Sequence, residues 1–249
     1  MNNYIAIGLG ILLLVLIYIF YVMYGSNKYI VLKQISLNDA QPPIMKSAIK
    51  NPASTNFSYG FWIYVNSWSN NSGKTIMYLT NQSSVVSAID PPTTIGTDKI
   101  PFFSIGLAKD KLDLYCTTSK QDDTLSNIKK TKITSNFPIQ KWTYVVVSVD
   151  GEILDCYLDG KLVISKQIED YTNFISNLKD CNIYLGDCVS SNKNDFYITK
   201  FNRWDHSLDP KTVWNDYLNG NGTSSYSSNY NINLAVKKDG EVYKDFSVY

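Results

Sequence analysis

Four residues with oxygen-bearing side chains crowd one stretch in the second half of the chain, between two predicted strands. They are Asp187, Asn192, Asn194 and Asp195. Carboxylate and amide oxygens are the ligands that Ca²⁺ takes in proteins, so this spacing indicates a calcium-assisted site for a ligand such as a sugar. The same composition is typical of a solvated loop, because Asn, Asp and Ser side chains bond to their own backbone in turns. Both interpretations stay open at the level of the sequence.

Other reactive side chains are few, which excludes several classes of chemistry. The chain has 249 residues with 1 His and 4 Cys, too few for a Cys/His zinc site with paired ligand spacing or for a choice of catalytic base. A formal net charge of +1 gives no basic surface for nucleic acid, so no nucleic-acid partner is expected. The acidic cluster of Asp150, Glu152, Asp155 and Asp159 is best explained by two Asp-Gly turns and one outward strand position. No cofactor is predicted beyond the optional calcium ion.

The elements that position these residues begin with an uncharged apolar run from Tyr4 to Tyr24. A helix over this run is about 31 Å long at 1.5 Å per residue, which matches the hydrocarbon thickness of a bilayer. No Lys or Arg precedes the run and no small-residue cleavage pattern follows it, which favours a retained anchor over a cleaved signal peptide. Residues 1–27 are therefore predicted to form a single transmembrane α-helix. Its anchoring side chains include Tyr4, Leu12, Leu16, Phe20 and Tyr24.

The charges that flank this run predict the orientation of the body. The residues before it carry no Lys or Arg, whereas lysines follow it at Lys28, Lys33, Lys46 and Lys50. Because positive charge concentrates on the cytosolic side, the body is expected there, with reduced cysteines. The Asn-x-Ser/Thr sequons would then carry no glycans. These sequons begin at Asn56, Asn70, Asn81 and Asn221.

After a polar connector at residues 28–52, short runs with period-two alternation recur, and they predict an all-β, antiparallel body at residues 53–222. The predicted strands are Phe57–Val65, Thr75–Leu79, Phe102–Leu107, Lys111–Cys116, Trp142–Val149, Ile153–Leu158, Lys161–Ser165, Asn182–Leu185 and Phe196–Phe201. The pairs Asp150-Gly151 and Asp159-Gly160 suit tight hairpin turns and predict a three-strand meander. The alternation turns Cys116 and Cys156 towards the core.

One short helix and a terminal hairpin complete the predicted elements. Asp209 suits an N-cap and Pro210 the first helical position, while Gly220 ends the apolar helical pattern. Residues 223–249 are predicted to form a linker followed by a β-hairpin, with strands at Asn231–Val236 and Glu241–Val248.

Several of these segments resemble the motifs of laminin-G-like domains of the concanavalin A-like lectin/glucanase group. The string from Trp142 to Gly151, continued by Cys156-Tyr-Leu-Asp-Gly-Lys-Leu-Val, is similar to the family hallmark of two strands joined by Asp-Gly turns. Further pieces follow in family order at Phe57–Ile63, Ile183–Asp187, Phe196–Trp204 and Leu208–Val213. Tyr197 and Thr199 depart from the pattern, because the family has Gly and often an acidic residue there. The resemblance implies an antiparallel jelly-roll β-sandwich over roughly residues 53–222.

The resemblance also bears on activity. Hydrolytic members carry an E-x-D-x-x-E strand, because one carboxylate attacks while another protonates the leaving group. This chain has no such string. The sequence therefore predicts a protein that is not an enzyme, and a hydrolase with an unrecognised site is the least favoured alternative.

Two binding functions remain. The first is a structural module that tethers a bilayer to a protein partner such as a capsid or coat component. The Asn-, Lys-, Ile- and Tyr-rich composition and the anchor are similar to those of membrane-anchored virion proteins of large DNA viruses, which implies a minor capsid role at an internal virion membrane, with the body facing the shell. The second is a surface lectin or adhesin that binds glycans, with or without calcium, through loop Asp and Asn residues and exposed aromatic rings.

Overall fold

The computed structural model describes residues 10, 12–19, 30–31, 33–68, 74–92, 99–119, 128–169, 171–187, 195–222, 232–238 and 241–248. The strands are β1 (Ile35–Ser36), β2 (Phe57–Val65), β3 (Lys74–Thr80), β4 (Phe103–Leu107), β5 (Leu114–Thr118), β6 (Lys129–Thr134), β7 (Trp142–Asp150), β8 (Ile153–Leu158), β9 (Lys161–Gln167), β10 (Asn182–Leu185), β11 (Phe196–Trp204), β12 (Ile232–Lys238) and β13 (Glu241–Val248). The helices are α1 (Tyr171–Leu178) and α2 (Pro210–Leu218), with a 3₁₀ turn at Lys46–Ala48.

The strands form antiparallel sheets, as the period-two alternation predicts. A six-stranded sheet has the order β1-β11-β2-β7-β8-β9, and a five-stranded sheet has the order β10-β3-β4-β5-β6. Strands β12 and β13 pair only with each other among the described elements. The neighbours β11 and β2 are far apart in sequence, as are β10 and β3, so connections cross between the sheets in the manner of a jelly roll.

The core lies between the two large sheets, where alternate side chains of facing strands interdigitate. It includes Phe61, Val147 and Phe201 from the six-stranded sheet, all fully buried. Cys116 and Cys156 also point into this core, as the alternation predicts. Burial raises the pKa of both thiols. They therefore behave as small apolar residues.

The meander of β7, β8 and β9 is confirmed, and the second of its Asp-Gly pairs forms a turn as predicted. At the first pair, Asp150 belongs to β7 and lies opposite Ile153, so only Gly151 of that pair is in the turn. Asp159 and Gly160 both have positive φ, at 47° and 78°, as the preferred two-residue hairpin turn requires. The Asp159 carboxylate also accepts a hydrogen bond from the Tyr144 backbone at 2.9 Å. Gly160 has a second constraint, because a Cβ there would lie 2.7 Å from the Trp214 ring.

The segment predicted as a connector pairs with strands of both sheets. Val31 exchanges backbone hydrogen bonds with Phe201, and β1 continues this pairing towards the start of β11. Ile44 then exchanges hydrogen bonds with Ile183 of β10 in the other sheet. The chain therefore reaches the sandwich beside the carboxyl half of β11 and runs towards the amino end of that strand.

Helix α2 forms as predicted and covers the outer face of the six-stranded sheet. Asp209 caps it by accepting hydrogen bonds from the backbone of Lys211 and Thr212, at 3.0 and 3.1 Å. Val213 of this helix is fully buried, and Tyr217 of the helix stacks on Trp62 of β2 with ring centroids 5.5 Å apart.

Several elements differ from the sequence prediction, which had one helix in the body. Helix α1 was not predicted, because it is short and rich in Asn and Thr; it is held by Phe174 and Leu178, which are buried in the core. Strand β6 has three exposed lysines among its six residues, which keep a sheet edge soluble and leave few apolar positions for a hydrophobicity search to find. Strand β5 begins at Leu114, later than the predicted Lys111.

The predicted anchor falls largely outside the described residues. Tyr4, Phe20 and Tyr24 lie outside them, whereas residues 12–19 are helical and their apolar side chains are exposed, including Leu12 and Leu16 at 55% and 44%. Within the described part of the chain, no helix is long and apolar enough to cross a membrane.

Candidate functional site

The loop predicted to bind a ligand is described only at its two ends. Asn192 and Asn194 lie outside the described residues. The Asp195 carboxylate accepts hydrogen bonds from the side chains of Asn66, at 2.6 Å, and Ser67, at 3.1 Å. Asp187, by contrast, acts electrostatically on Lys74. The two aspartates thus serve different neighbours, one at the end of β2 and the other at the start of β3.

Lys74 is the buried group that the charge of Asp187 acts on. Its residue is only 1% exposed, and its ammonium lies 4.5 Å from the centre of the Trp68 ring. Burial lowers the pKa of Lys74, while the carboxylates of Asp187 and Asp90 act in the opposite direction. Asp187 therefore compensates for a buried charge. In the described residues, no three His, Cys, Asp or Glu side chains come close enough together to hold a metal ion.

The strand register builds a row of aromatic side chains near Asp195. Tyr197 of β11 lies directly opposite Tyr64 of β2, which lies directly opposite Trp142 of β7. Their neighbours Val65 and Phe196 are buried between the sheets, so the aromatic side chains point to the outer face. We call these three residues the aromatic row.

The rings of the aromatic row are tilted relative to one another. Tyr64 lies 5.5 Å from Trp142 and 6.5 Å from Tyr197, with interplanar angles of 47° and 54°. All three side chains are partly exposed. The next aromatic pair along the strands, Trp62 and Tyr144, is buried under α2. The aromatic row lies next to this pair on the same outer face, and Trp142 packs against the cluster that α2 covers.

A second row, of polar side chains, continues the same three strands one step further towards the loops. It consists of Asp195, Asn66 and Gln140, and we call it the polar row. The backbone of Asn66 donates to the Asp195 carbonyl at 3.0 Å, and the backbone of Gln140 donates to the Val65 carbonyl at 2.7 Å. The Gln140 side chain reaches the Asn66 carbonyl at 3.5 Å. Gln140 also has a positive φ of 54°, a strained conformation for a residue other than Gly.

The sequence located part of this arrangement. It singled out Asp195 and predicted all three strands, but it did not bring the two rows together. The alternation within each strand does place Tyr64, Tyr197 and Trp142 outward. Only the pairing of β11 with β2 and of β2 with β7 shows that they are neighbours.

Three of the four acids in the cluster have contacts that hold turns and strands, whereas Asp155 has a buried Oδ1 without a hydrogen-bond partner in the described residues. Asp150 accepts from the Asn56 side chain at 2.9 Å, and Glu152 from the Gln167 side chain at 2.8 Å. Asp159 pairs with Lys141 at 3.0 Å. His206 lies 3.2 Å from Asp205, and the ion pairs of Asp205 lower the pKa of that carboxyl.

The two cysteines next to the predicted loop are only partly described. Cys181 is buried, and burial raises its pKa to about 12. Cys188, its possible disulfide partner in an oxidising compartment, lies outside the described residues.

A groove of about 710 Å³ lies at the opposite end of the sandwich, between β9 and α1. Its acidic residues are already paired: Glu169 with Lys129 at 2.7 Å, and Glu152 with Gln167. The two rows, with their partly exposed rings and exposed amides, are therefore the better candidate for a binding site.

The comparisons with known proteins concern the fold. The sequence model of the concanavalin A-like lectin/glucanases superfamily, of the laminin G type, matches residues 38–214. No curated protein matches the chain.

Solved structures share the architecture at low identity. The binding domain of botulinum neurotoxin DC in complex with rat synaptotagmin II has a TM-score of 0.50 and 19% identity, covering 72% of this chain and 38% of that one. The same binding domain in complex with SialylT has a TM-score of 0.47 and 19% identity, covering 68% and 36%. This chain thus matches little more than a third of each of those structures.

Proposed function

Because the chain belongs to the concanavalin A-like lectin/glucanases superfamily, we propose that it is a non-catalytic binding module. Its amino-terminal apolar run anchors it to a bilayer, and its sandwich binds a partner. The observation that carries the proposal is the pairing of the aromatic row with the polar row on one open face. Aromatic residues are enriched at the energetic centres of interfaces, and polar groups beside them fix orientation.

The proposal of a module without catalysis rests on the sequence and on the acids. The E-x-D-x-x-E string of the hydrolytic relatives is missing from the chain. Two carboxylates free to attack and to protonate would be needed for glycoside hydrolysis. Asp150, Glu152 and Asp159 are instead engaged by Asn56, Gln167 and Lys141.

Support for the anchor comes from the apolar run and from the way the chain reaches the sandwich. The side chains of residues 12–19 are apolar and exposed, as lipid-facing residues are. The chain reaches the sheet beside Phe201, whereas Tyr197 and the polar row lie towards the other end of β11. An anchored module would then present the two rows away from the point where its anchor arrives.

Two kinds of partner fit such a module. A protein of a shell or coat is the first, which would make the chain a minor capsid or virion membrane protein on the shell-facing side of an internal membrane. The botulinum neurotoxin domain that shares this fold is in complex with a protein, rat synaptotagmin II. A glycan is the second, and the partly exposed rings beside a carboxylate and two amides favour it.

Site-specific crosslinking in the native membrane tests whether the face with the two rows binds a partner. A photoreactive amino acid at position 197, in the full chain, is expected to capture a discrete partner. The same group at position 184 is the matched control, because Tyr184 is a partly exposed tyrosine of β10 in the opposite sheet. Equal capture at both positions, or capture at neither, would reject the proposed binding face.

Alkaline extraction of membranes tests the anchor. The full chain is expected to stay in the membrane pellet, and Leu12→Arg combined with Leu16→Arg to release it, because each charge at the centre of a span costs about 2.5–3.5 kcal/mol. Leu162→Arg with Val163→Arg, on an exposed strand of the sandwich, is the control that should stay in the pellet. Release of the unaltered chain would contradict anchoring.

A further inference from the structure

Strand β9 lies at the end of the six-stranded sheet, where no described strand pairs with its other edge. We infer that this edge is a second interaction surface, to which an extended segment of a partner protein adds as a further strand. The segment that fits it is apolar at its centre and carries carboxylates at its ends. Because the surface lies on other strands than the two rows, the inference goes beyond the proposed function.

Backbone groups of β9 are available for this pairing. The Ile168 N–H donates to the Glu152 carbonyl at 2.7 Å. Since bonded positions alternate along an antiparallel ladder, the backbone groups of Ser165 and Gln167 point away from β8. This half of the ladder is regular, because its register shift lies at Val163. Outward-pointing N–H and C=O groups are a template for a further strand.

The other edges of the two large sheets are short, paired or charged. Strand β1 has two residues, and β10 has four and is paired with Ile44. Strand β6 carries three exposed lysines. Strand β9, by contrast, has seven residues, of which Leu162 and Val163 are 50% and 44% exposed. Short or lysine-rich edges resist pairing, so β9 is the edge best suited to accept a strand.

Charge selects an acidic segment for this edge. Lys161 and Lys166 are exposed, and neither forms an ion pair within the described part of the chain. On the neighbouring edge, Lys129 of β6 is already paired with Glu169 at 2.7 Å. A second copy of this chain would bring two such lysines from each strand together, which like-charge repulsion opposes. Carboxylates at the ends of a partner segment would instead compensate both cations and favour specific association.

A groove adjoins the same edge. It has a volume of about 710 Å³, and its lining includes Gln167 at the end of β9 and Tyr171 of α1. A strand that pairs along β9 and passes Gln167 therefore reaches this groove. At the other end of the edge, a segment that covers Leu162 and Val163 gains hydrophobic free energy. Apolar contacts, free backbone groups and a groove thus follow one another along β9.

The charge preference is tested with two peptides of seven residues and the full chain in bilayer discs, followed by fluorescence anisotropy. Glu-Val-Thr-Val-Thr-Val-Glu is the probe, and Lys-Val-Thr-Val-Thr-Val-Lys is its matched control. We expect the Glu-flanked peptide to bind at least about tenfold more tightly at low salt. Lys161→Glu combined with Lys166→Glu should reverse this preference, which a loss of fold could not do. If neither peptide binds, or if the preference does not reverse, the inference is overturned.

The substitution Ser165→Pro tests the main-chain pairing. Proline is tolerated on an edge strand where the N–H it replaces points away from the neighbouring strand, so the ladder with β8 should persist. We expect this substitution to weaken binding of the Glu-flanked peptide about tenfold, whereas Ser165→Ala, which keeps the N–H, should bind like the unaltered chain. Near-UV circular dichroism monitors the fold of both variants. Equal binding by the two variants would reject strand addition.

A measurement on the unaltered chain guards against misfolding of the proline variant. The N–H groups of an added strand alternate in direction, so only one alternate set faces β9. N-methylation of the three Val residues or of the two Thr residues of the Glu-flanked peptide should therefore abolish binding in one case and spare it in the other. Equal effects of the two methylations overturn the inference.

The state of association tests the alternative occupant, a second copy of the chain. Analytical ultracentrifugation in detergent should give the same mass for the unaltered chain and for Ser165→Pro. A dimer that Ser165→Pro separates would assign the edge to a second copy and overturn the inference. Capture by the crosslinker at position 197 reports on the aromatic row and not on β9, so this inference can fail while the proposed function stands.

Discussion

Asp113 links two strands of the five-stranded sheet through its carboxylate. Lys132 of β6 lies 2.7 Å from its Oδ2, and the Tyr115 hydroxyl donates to the same oxygen at 3.0 Å. The hydrogen bond from Lys132 is the largest cause that lowers the pKa of Asp113. The pKa of Tyr115 is raised by burial and by its bond to Asp113. This carboxylate is therefore bound more strongly in its charged form.

A pH dependence of stability follows from this lowered pKa. Since the folded pKa of Asp113 lies below its unfolded value of about 3.9, its contribution is present above that value and is lost as the pH falls through the folded pKa. When the pH falls from about 5 to about 2, Asp113→Asn should therefore lose less unfolding free energy than the unaltered chain does. Urea titrations at several pH values measure it, with Asp110→Asn, an exposed neighbour, as the control. An unchanged pH profile in Asp113→Asn would contradict this role.

The residues of the candidate site show what sequence spacing alone can and cannot indicate. Asp187 and Asp195 are close in the chain and of the same type, which suggested a shared metal. The structure gives Asp187 a buried lysine and Asp195 two side-chain donors at the end of β2. Spacing located the loop, whereas the partner of each carboxylate depends on strands that are distant in sequence.

At the level of elements, period-two alternation predicted the strands whose two faces differ in environment. The bounds of β2, β8 and β10 agree with the prediction at both ends. Strand β6 escaped because its exposed lysines leave few apolar positions, and β1 because its two residues are too short for any periodic signal. Helix α1 is stabilised by the core contacts of Phe174 and Leu178, which no local pattern reveals. Tertiary packing overrides local preference in each case.

Strand β11 contributes to the core, pairs with the segment that follows the apolar run and carries one residue of the aromatic row. Phe201 is fully buried, lies 6.3 Å from Tyr59 and 6.1 Å from Phe61 between ring centroids, and pairs through its backbone with Val31. Its ring therefore holds β11 against β2, the two strands that carry Tyr197 and Tyr64.

Removal of this ring should be strongly destabilising. We expect Phe201→Ala to lower the free energy of unfolding by about 3–5 kcal/mol, through lost burial and the cavity that remains. Urea denaturation of the full chain in detergent, followed by tryptophan fluorescence, measures the change. Leu162→Ala, at a residue 50% exposed on β9, should stay within about 0.5 kcal/mol. Equal effects of the two substitutions would show that the sandwich does not depend on this contact.

For the whole molecule, the fold was the most predictable feature because several weak motifs occurred in one order. The superfamily model and the antiparallel sheets confirm the lectin-like sandwich. The partner was not predictable, since a sandwich is a scaffold whose function depends on the side chains grafted on it. The two rows show this directly: Tyr197 departs from the family pattern, and it became part of the site.

Under the proposed anchoring, the side of the membrane on which the sandwich lies would decide which partners it can meet. Asn81, just after β3, begins a glycosylation sequon and is exposed, so an enzyme in the lumen could reach it. Lysines follow the apolar run and none precedes it, which predicts a cytosolic body. Expressed in a glycosylating cell, the full chain should therefore show no shift in gel mobility after enzymatic removal of N-glycans.

A variant with reversed flanking charge is the positive control for glycosylation at Asn81. Asn2→Lys and Asn3→Lys with Lys28→Glu move positive charge to the other side of the run, so the body should translocate and gain a glycan that Asn81→Gln removes. This variant shows that Asn81 is a usable acceptor whenever it reaches the lumen. A glycan at Asn81 in the unaltered chain would instead put the sandwich on the outer side of the membrane, where its rows meet the sugars of other cells and not a shell protein.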